Sequence, residues 1–147
     1  MIEKLYAFVI SLHTNIVTQK EYEDFLDTIF LNDPTNELLL DLEVASKDFN
    51  ETLALVNEAL YKKEGRLDFA VFGKVLFENL GAFYKKDVLE IADFGRRAYS
   101  IWHLLPNEIN QTEPFWTLCY AGDYLSFGDE SQTRELYERA FSYSWTT

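Results

Sequence analysis

Few residues of this chain have the types and spacing that catalysis requires. Neither of its two histidines, His13 and His103, has a Glu three residues before it or a second His three to five residues away, so zinc-peptidase and di-iron patterns are absent. The one cysteine, Cys119, lies beside Leu118 and Tyr120, where a buried, unreactive thiol is expected. These residues do not supply a nucleophile, a base and an orienting group together. We therefore expect no enzyme activity, no metal site and no cofactor.

Glycine-rich and acidic segments do not match known ligand-binding loops either. None of the six glycines belongs to a phosphate-binding pattern such as G-x-x-x-x-G-K-[ST]. Residues 123–130 contain Asp123, Asp129 and Glu130, but they lack the alternating oxygen ligands of a calcium loop. Turn formation and helix capping are the expected roles of this segment. The adjacent pair Arg96 and Arg97 is expected to form internal salt bridges.

Acidic side chains are concentrated on two predicted helices of the amino-terminal half. The first helix carries Glu21, Glu23, Asp24 and Asp27, and the second carries Glu37, Asp41 and Glu43. Like charges four residues apart, as in Glu23 and Asp27, destabilise a helix by about 0.2–0.5 kcal/mol. A solvated face would explain these acids, and so would a patch that binds a basic partner and speeds its approach. The second interpretation makes Glu21, Glu23, Asp24, Asp27, Glu37 and Asp41 candidate partner-binding residues.

The carboxyl-terminal segment adds three aromatic residues, Phe141, Tyr143 and Trp145, after the last predicted core position. Packing over the end of the molecule is one interpretation. Exposure at a protein interface is the other, because aromatic side chains are common anchors of such interfaces. Tyr143 and Trp145 are therefore also candidate partner-binding residues.

Composition and charge restrict the class of protein. The 147 residues are 48% hydrophobic and 16% aromatic, which is typical of one folded domain, predicted to span residues 1–147. A net charge of −12 disfavours binding to nucleic acids or anionic membranes. We expect no signal peptide, since charges occur within the first four residues, and no apolar run approaches the length of a membrane span. A single cysteine favours the reducing cytoplasm.

Apolar residues recur every three to four positions almost throughout, which predicts an all-α protein. We predict about seven helices in a compact bundle, or a stack of helical hairpins. The seven longer helices are predicted over 2–12, 18–30, 36–45, 51–62, 68–84, 88–104 and from 129 onward, with an additional short helix over 115–120. A capping box over residues 18–21 begins the second helix, Gly65 ends the fourth, and Pro106 follows the sixth. The fifth helix is the most apolar and is predicted to be central.

Two stretches of the sequence carry a resemblance to a known family. The first comprises Asn36-Glu37-Leu38-Leu39-Leu40-Asp41-Leu42-Glu43 and the following residues to Thr52. The second comprises Ile101-Trp102-His103-Leu104-Leu105-Pro106, Glu113-Pro114-Phe115-Trp116-Thr117-Leu118, Tyr120-Ala121-Gly122-Asp123, Leu125-Ser126, Gly128-Asp129 and Gln132-Thr133-Arg134-Glu135-Leu136-Tyr137-Glu138. Both resemble small α-helical immunity proteins of bacterial contact-dependent inhibition and polymorphic toxin systems, and the resemblance implies a helical toxin inhibitor without catalytic residues. Gly122 replaces the first aspartate of the family's Tyr-Ala-Asp-Asp, which argues against a metal or charge role there.

The expected function is therefore binding and neutralisation of a cognate toxin domain. A nuclease is the expected class of toxin, because an acidic protein can occupy its basic cleft as a mimic of phosphate charge. A helical adaptor or regulatory subunit of a larger complex is the alternative, and an exposed apolar patch would favour it. Whether the protein forms a homodimer stays open.

Overall fold

The computed structural model of the protein describes residues 1–63, 67–86 and 90–145, and within these ranges the chain is all-helical, as predicted. Eight α-helices and one 3₁₀ helix occur there. They are α1 Ile2–His13, α2 Gln19–Asn32, α3 Glu37–Val44, α4 Phe49–Lys62, α5 Phe69–Lys85, α6 Ile91–Leu104, α7 Thr117–Tyr120, the 3₁₀ helix Ala121–Phe127 and α8 Glu130–Phe141. The predicted helix end at Gly65 and helix start at Val88 lie outside the described residues. None of the described helices is both long and apolar enough to cross a membrane.

Side-chain caps explain where several helices begin. The predicted capping box is confirmed at α2: the Glu21 N–H donates to Thr18 Oγ1 (3.1 Å), and the Thr18 N–H donates to Glu21 Oε1 (3.2 Å). Asn36 caps α3 and Asp129 caps α8 in the same way. The fourth helix begins at Phe49, two residues before its predicted start, because Asp48 accepts a capping hydrogen bond at 3.1 Å.

The predicted helix over residues 115–120 begins later than expected. Residues 114–116 form tight turns, in which the N–H groups of Thr117, Leu118 and Cys119 bond to carbonyls three residues back. Regular α-helix covers only Thr117–Tyr120. The chain then continues as the 3₁₀ helix, which ends at Gly128 with φ of 75°, a left-handed conformation that glycine adopts readily. Asp129, immediately after it, performs the capping role predicted for this segment.

The centre of the fold is α1 packed along α5, and not α5 alone. Besides α5, helix α1 contacts α4, α2 and α6, and Leu5, Ala7 and Val9 are completely buried. Helices α2 and α3 extend this pair on one side through contacts with α1, with each other and with α4. On the other side α6, α7, the 3₁₀ helix and α8 pack together, and α8 also contacts α5. One cluster of buried side chains runs through all these elements, from α1 to α8.

Candidate protein-binding surface

Two of the candidate acids are already used by helix α2 itself. Glu21 completes the capping box and lies 3.5 Å from the ammonium group of Lys86. Asp24 pairs with Lys20 one turn earlier, at 2.9 Å. Both pairs are exposed to solvent, so each contributes little to stability. Because their charges are largely balanced, Glu21 and Asp24 contribute less to a net negative surface than the sequence alone indicates.

Three other carboxylates meet where α2 packs against α3, and we call them the acid cluster: Glu23, Asp27 and Glu43. Burial raises the pKa of Glu43, and a hydrogen bond with Asp27 together with the charges of Asp27 and Glu23 raises it further. Among residues 1–63, 67–86 and 90–145, the only hydrogen bond recorded for Glu23 comes from the Gln19 amide at 3.4 Å, and none of the three has a salt bridge. The cluster therefore concentrates negative charge without a salt bridge among the described residues.

A buried tyrosine lies beside the acid cluster. Tyr22 is completely buried, and the Thr52 side chain lies beside its hydroxyl, although within the described part of the chain the two do not form a hydrogen bond of full geometry. Burial and the nearby charge of Glu43 raise the pKa of Tyr22 to about 12. The phenol thus stays neutral and adds no negative charge to the acid cluster.

The second group of candidate acids lies on a mixed surface that we call the α3 outer face, formed by Glu37, Leu40, Asp41 and Val44. These residues recur at helical spacing, opposite the fully buried Leu39 and Leu42. Val44 is 91% exposed and Leu40 is 44% exposed. No salt bridge of the described residues involves Glu37 or Asp41.

Leu40 and Val44 were not among the partner-binding residues predicted from the sequence. Leu40 belongs to the run Leu38-Leu39-Leu40, whose hydrophobicity does not show which leucine points outward. In the structure Leu39 and Leu42 are buried, and this places Leu40 and Val44 on the exposed side of α3.

The two carboxyl-terminal candidates differ in their surroundings. The Trp145 ring packs against Phe77 and Phe115, with centroid distances of 5.8 and 5.5 Å, and it covers Gly73. Tyr143 contacts only the edge of this ring within the aromatic network and is 45% exposed. The packing interpretation thus accounts for Trp145, whereas Tyr143 remains accessible to a partner. The partner-binding role of either residue stays a prediction.

The region around Cys119 has an open groove of about 540 Å³ between α6 and the 3₁₀ helix. Cys119 was predicted to be buried, but it is only half-buried in this groove. Burial, and secondly the negative charge of Asp123, raise the pKa of the Cys119 thiol, which disfavours the reactive thiolate. A β-carbon on Gly122 would stand 3.6 Å from the Tyr137 hydroxyl oxygen and 3.9 Å from the Gly95 α-carbon, which are ordinary van der Waals distances.

Metal binding has no support in the described part of the chain, where no group of three His, Cys, Asp or Glu residues is placed to hold an ion.

Compared with known proteins, the chain matches no family model, no curated protein and no solved structure. The function is therefore inferred from the charges, contacts and exposure of the surface itself.

Proposed function

We propose that the protein is an immunity protein that binds a cognate toxin domain through the α3 outer face, with the acid cluster beside it. The observation that carries this proposal is the combination on α3 of two exposed apolar side chains, Leu40 and Val44, with two acids, Glu37 and Asp41, that form no salt bridge within the described part of the chain. Apolar anchors surrounded by charged side chains are typical of protein interfaces. Such a surface fits a partner that is basic around a shallow apolar pocket.

The charges give the expected mode of association. Residues 1–64 contain 13 acids and 5 bases, so their net charge is −8, and α2 and α3 belong to this half. A concentrated negative field accelerates the approach of a basic partner and orients it. A nuclease toxin has a basic cleft for its substrate, which is why a nuclease is the proposed class of partner.

Growth protection tests the proposal most specifically. The full chain is co-expressed with the carboxyl-terminal domain of a secreted toxin encoded beside its gene, and survival is compared among matched variants. Asp41→Lys and Val44→Asp alter the α3 outer face. Glu138→Lys reverses a charge, as Asp41→Lys does, but at an exposed position of α8, whose neighbours are α5, α7 and the 3₁₀ helix.

The native chain and Glu138→Lys are expected to protect the cells. Asp41→Lys and Val44→Asp should bind the toxin domain about tenfold more weakly or worse, as the loss of an interface anchor does, and should fail to protect at high toxin expression. Circular dichroism of each variant checks the fold. Equal protection by all four proteins would contradict the proposed surface, and no protection by the native chain would contradict immunity.

The same two exposed apolar side chains, Leu40 and Val44, also fit the adaptor alternative, which predicts an exposed apolar patch. It differs in the partner, which would be a housekeeping subunit and would not be toxic to the cell. Capture of a stable complex with such a subunit through the α3 outer face would favour the adaptor.

A further inference from the structure

Both histidines of the chain and its adjacent arginine pair line one cleft, between the end of α1 and helix α6. The cleft encloses about 480 Å³, and its donors include His13, Asn15, Arg96, Arg97 and His103. One carboxylate, that of Asp93, is among its described lining. This concentration of nitrogen donors contrasts with the net charge of −12 of the whole protein.

Arg97 is held in place by the protein itself. Its Nη1 donates to the carbonyls of Thr14 and Asn15, at 3.2 and 3.0 Å, and its guanidinium carbon lies 5.4 Å from the ring centre of Phe83. These carbonyls follow the last turn of α1. The hydrogen bonds recorded for the described residues use Nη1 alone, so Nε and Nη2 remain as donors.

The remaining donors have their own supports. His13 stacks on Phe49 with a centroid distance of 4.2 Å, and His103 packs edge-on against Tyr99 at 4.5 Å. Arg96 pairs with Asp93 one turn earlier on the same helix, as predicted for an internal salt bridge. Because Arg97, His13 and His103 are positioned before a ligand arrives, little entropy of these side chains would be lost on binding.

We propose that this cleft binds the phosphate group of a small phosphate monoester. Guanidinium groups bind phosphate oxygens in pairs of parallel hydrogen bonds, and imidazole and amide N–H groups on the facing wall suit the remaining oxygens. The cleft volume lies in the range of small-molecule sites, about 300–1,000 Å³. A long polyanion would be repelled by the rest of the acidic surface. This inference does not depend on the proposed immunity function.

Inorganic phosphate and phenyl phosphate are the probes, and benzoate is the carboxylate counterpart. Each is titrated into the full chain at constant ionic strength, and amide NMR shifts report where it binds. Arg96→Gln and His103→Gln remove donors that are exposed and not needed by α1. Arg139→Gln is the matched control, because Arg139 is exposed on α8 and pairs there with Glu135.

We expect saturable shifts in residues 13–15 and 93–104 with both phosphate probes. Arg96→Gln and His103→Gln should each weaken phenyl phosphate binding by about tenfold, the usual effect of losing a charge-assisted hydrogen bond, and Arg139→Gln should leave it unchanged. Equal binding of benzoate, an equal effect of Arg139→Gln, or no saturable shift in the cleft would overturn the proposal.

Discussion

At the scale of single residues, Glu3 is an acid that the fold uses internally. Its carboxylate accepts a hydrogen bond from Lys63 Nζ and another from the Asp68 N–H, at 3.1 Å for the latter. Burial raises the pKa of Glu3, but the hydrogen bonds from Lys63 and Asp68 outweigh burial and lower the pKa to about 2. Glu3 thereby connects α1 to the end of α4 and the start of α5.

Glu3→Gln should lower the free energy of unfolding by about 2 kcal/mol at neutral pH. The folded pKa is below the ordinary value of 4.5, so the ionised carboxylate stabilises the fold above that value and its contribution is lost as pH falls towards about 2. Urea unfolding of both proteins at several pH values measures this difference. A difference that stays constant down to the lowest pH would contradict the assigned role of Glu3.

Tyr137 is a second residue whose environment makes a specific prediction. It is completely buried, its hydroxyl has no hydrogen-bond partner among the described residues, and the oxygen lies 3.4 Å from where a β-carbon on Gly95 would stand. Tyr137→Phe removes the unpaired hydroxyl, so stability should be unchanged or higher by up to about 1 kcal/mol. Thermal unfolding measures it. A clear loss of stability would mean that the hydroxyl is hydrogen-bonded in solution.

At the scale of secondary-structure elements, the junction of α2 and α3 combines a stability cost with the proposed function. Asp27→Asn removes one charge from the acid cluster and should raise the free energy of unfolding by about 0.5 kcal/mol at neutral pH. Because the pKa of Glu43 is raised in the fold, protonation of Glu43 relieves the same repulsion. The gain should therefore shrink as pH falls through the raised pKa of Glu43, towards 4.5.

Thermal unfolding of Asp27→Asn across this pH range tests the acid cluster, with Asp41→Asn as control. Asp41 is exposed on α3, four residues after Glu37 and outside the acid cluster, so Asp41→Asn should give at most the gain from one like-charge pair, about 0.2–0.5 kcal/mol, without dependence on the protonation of Glu43. If Asp27→Asn destabilised the protein, the acid cluster would be a structural network and not a repulsive group.

The carboxyl-terminal segment packs against α5 through Trp145, which lies over Gly73 and Phe77. A methyl group on Gly73 would overlap the indole ring of Trp145. Gly73→Ala should therefore lower stability by about 1–3 kcal/mol, as overpacking does. In a Trp145→Ala background the same substitution should be neutral or stabilising by up to about 1 kcal/mol, since alanine is the better helix former. Equal effects of Gly73→Ala in both backgrounds would place Trp145 elsewhere.

At the scale of the whole molecule, local sequence signals predicted the elements better than their arrangement. The capping box at Thr18 and the cap at Asn36 each use atoms within a few residues, so sequence spacing identifies them. The central position of α1 depends on packing against four other helices, which no local pattern of α1 contains. The later start of α7 likewise results from tight turns after Pro114.

The candidate surface was only partly predicted from the sequence, because it too depends on packing between distant parts of the chain. Acidic residues are visible in the sequence, but their ion pairs decide which ones carry free charge. Lys86 reaches Glu21 from a distant part of the chain, and Glu43 joins Asp27 only through packing of two helices. The cleft with His13 and His103 was not predicted, because these residues are far apart in sequence and lack a metal-binding spacing.

The central claim is that the α3 outer face binds a basic toxin domain, and affinity capture at low and high salt tests it most directly. Tagged native chain, Asp41→Lys and Glu138→Lys are each used to capture partners from native cells, and bound proteins are identified by mass spectrometry. We predict that the native chain and Glu138→Lys recover a toxin domain, that high salt reduces recovery, and that Asp41→Lys recovers little. Recovery of the toxin domain by Asp41→Lys at the native level, or of no toxin domain by the native chain, would contradict the claim.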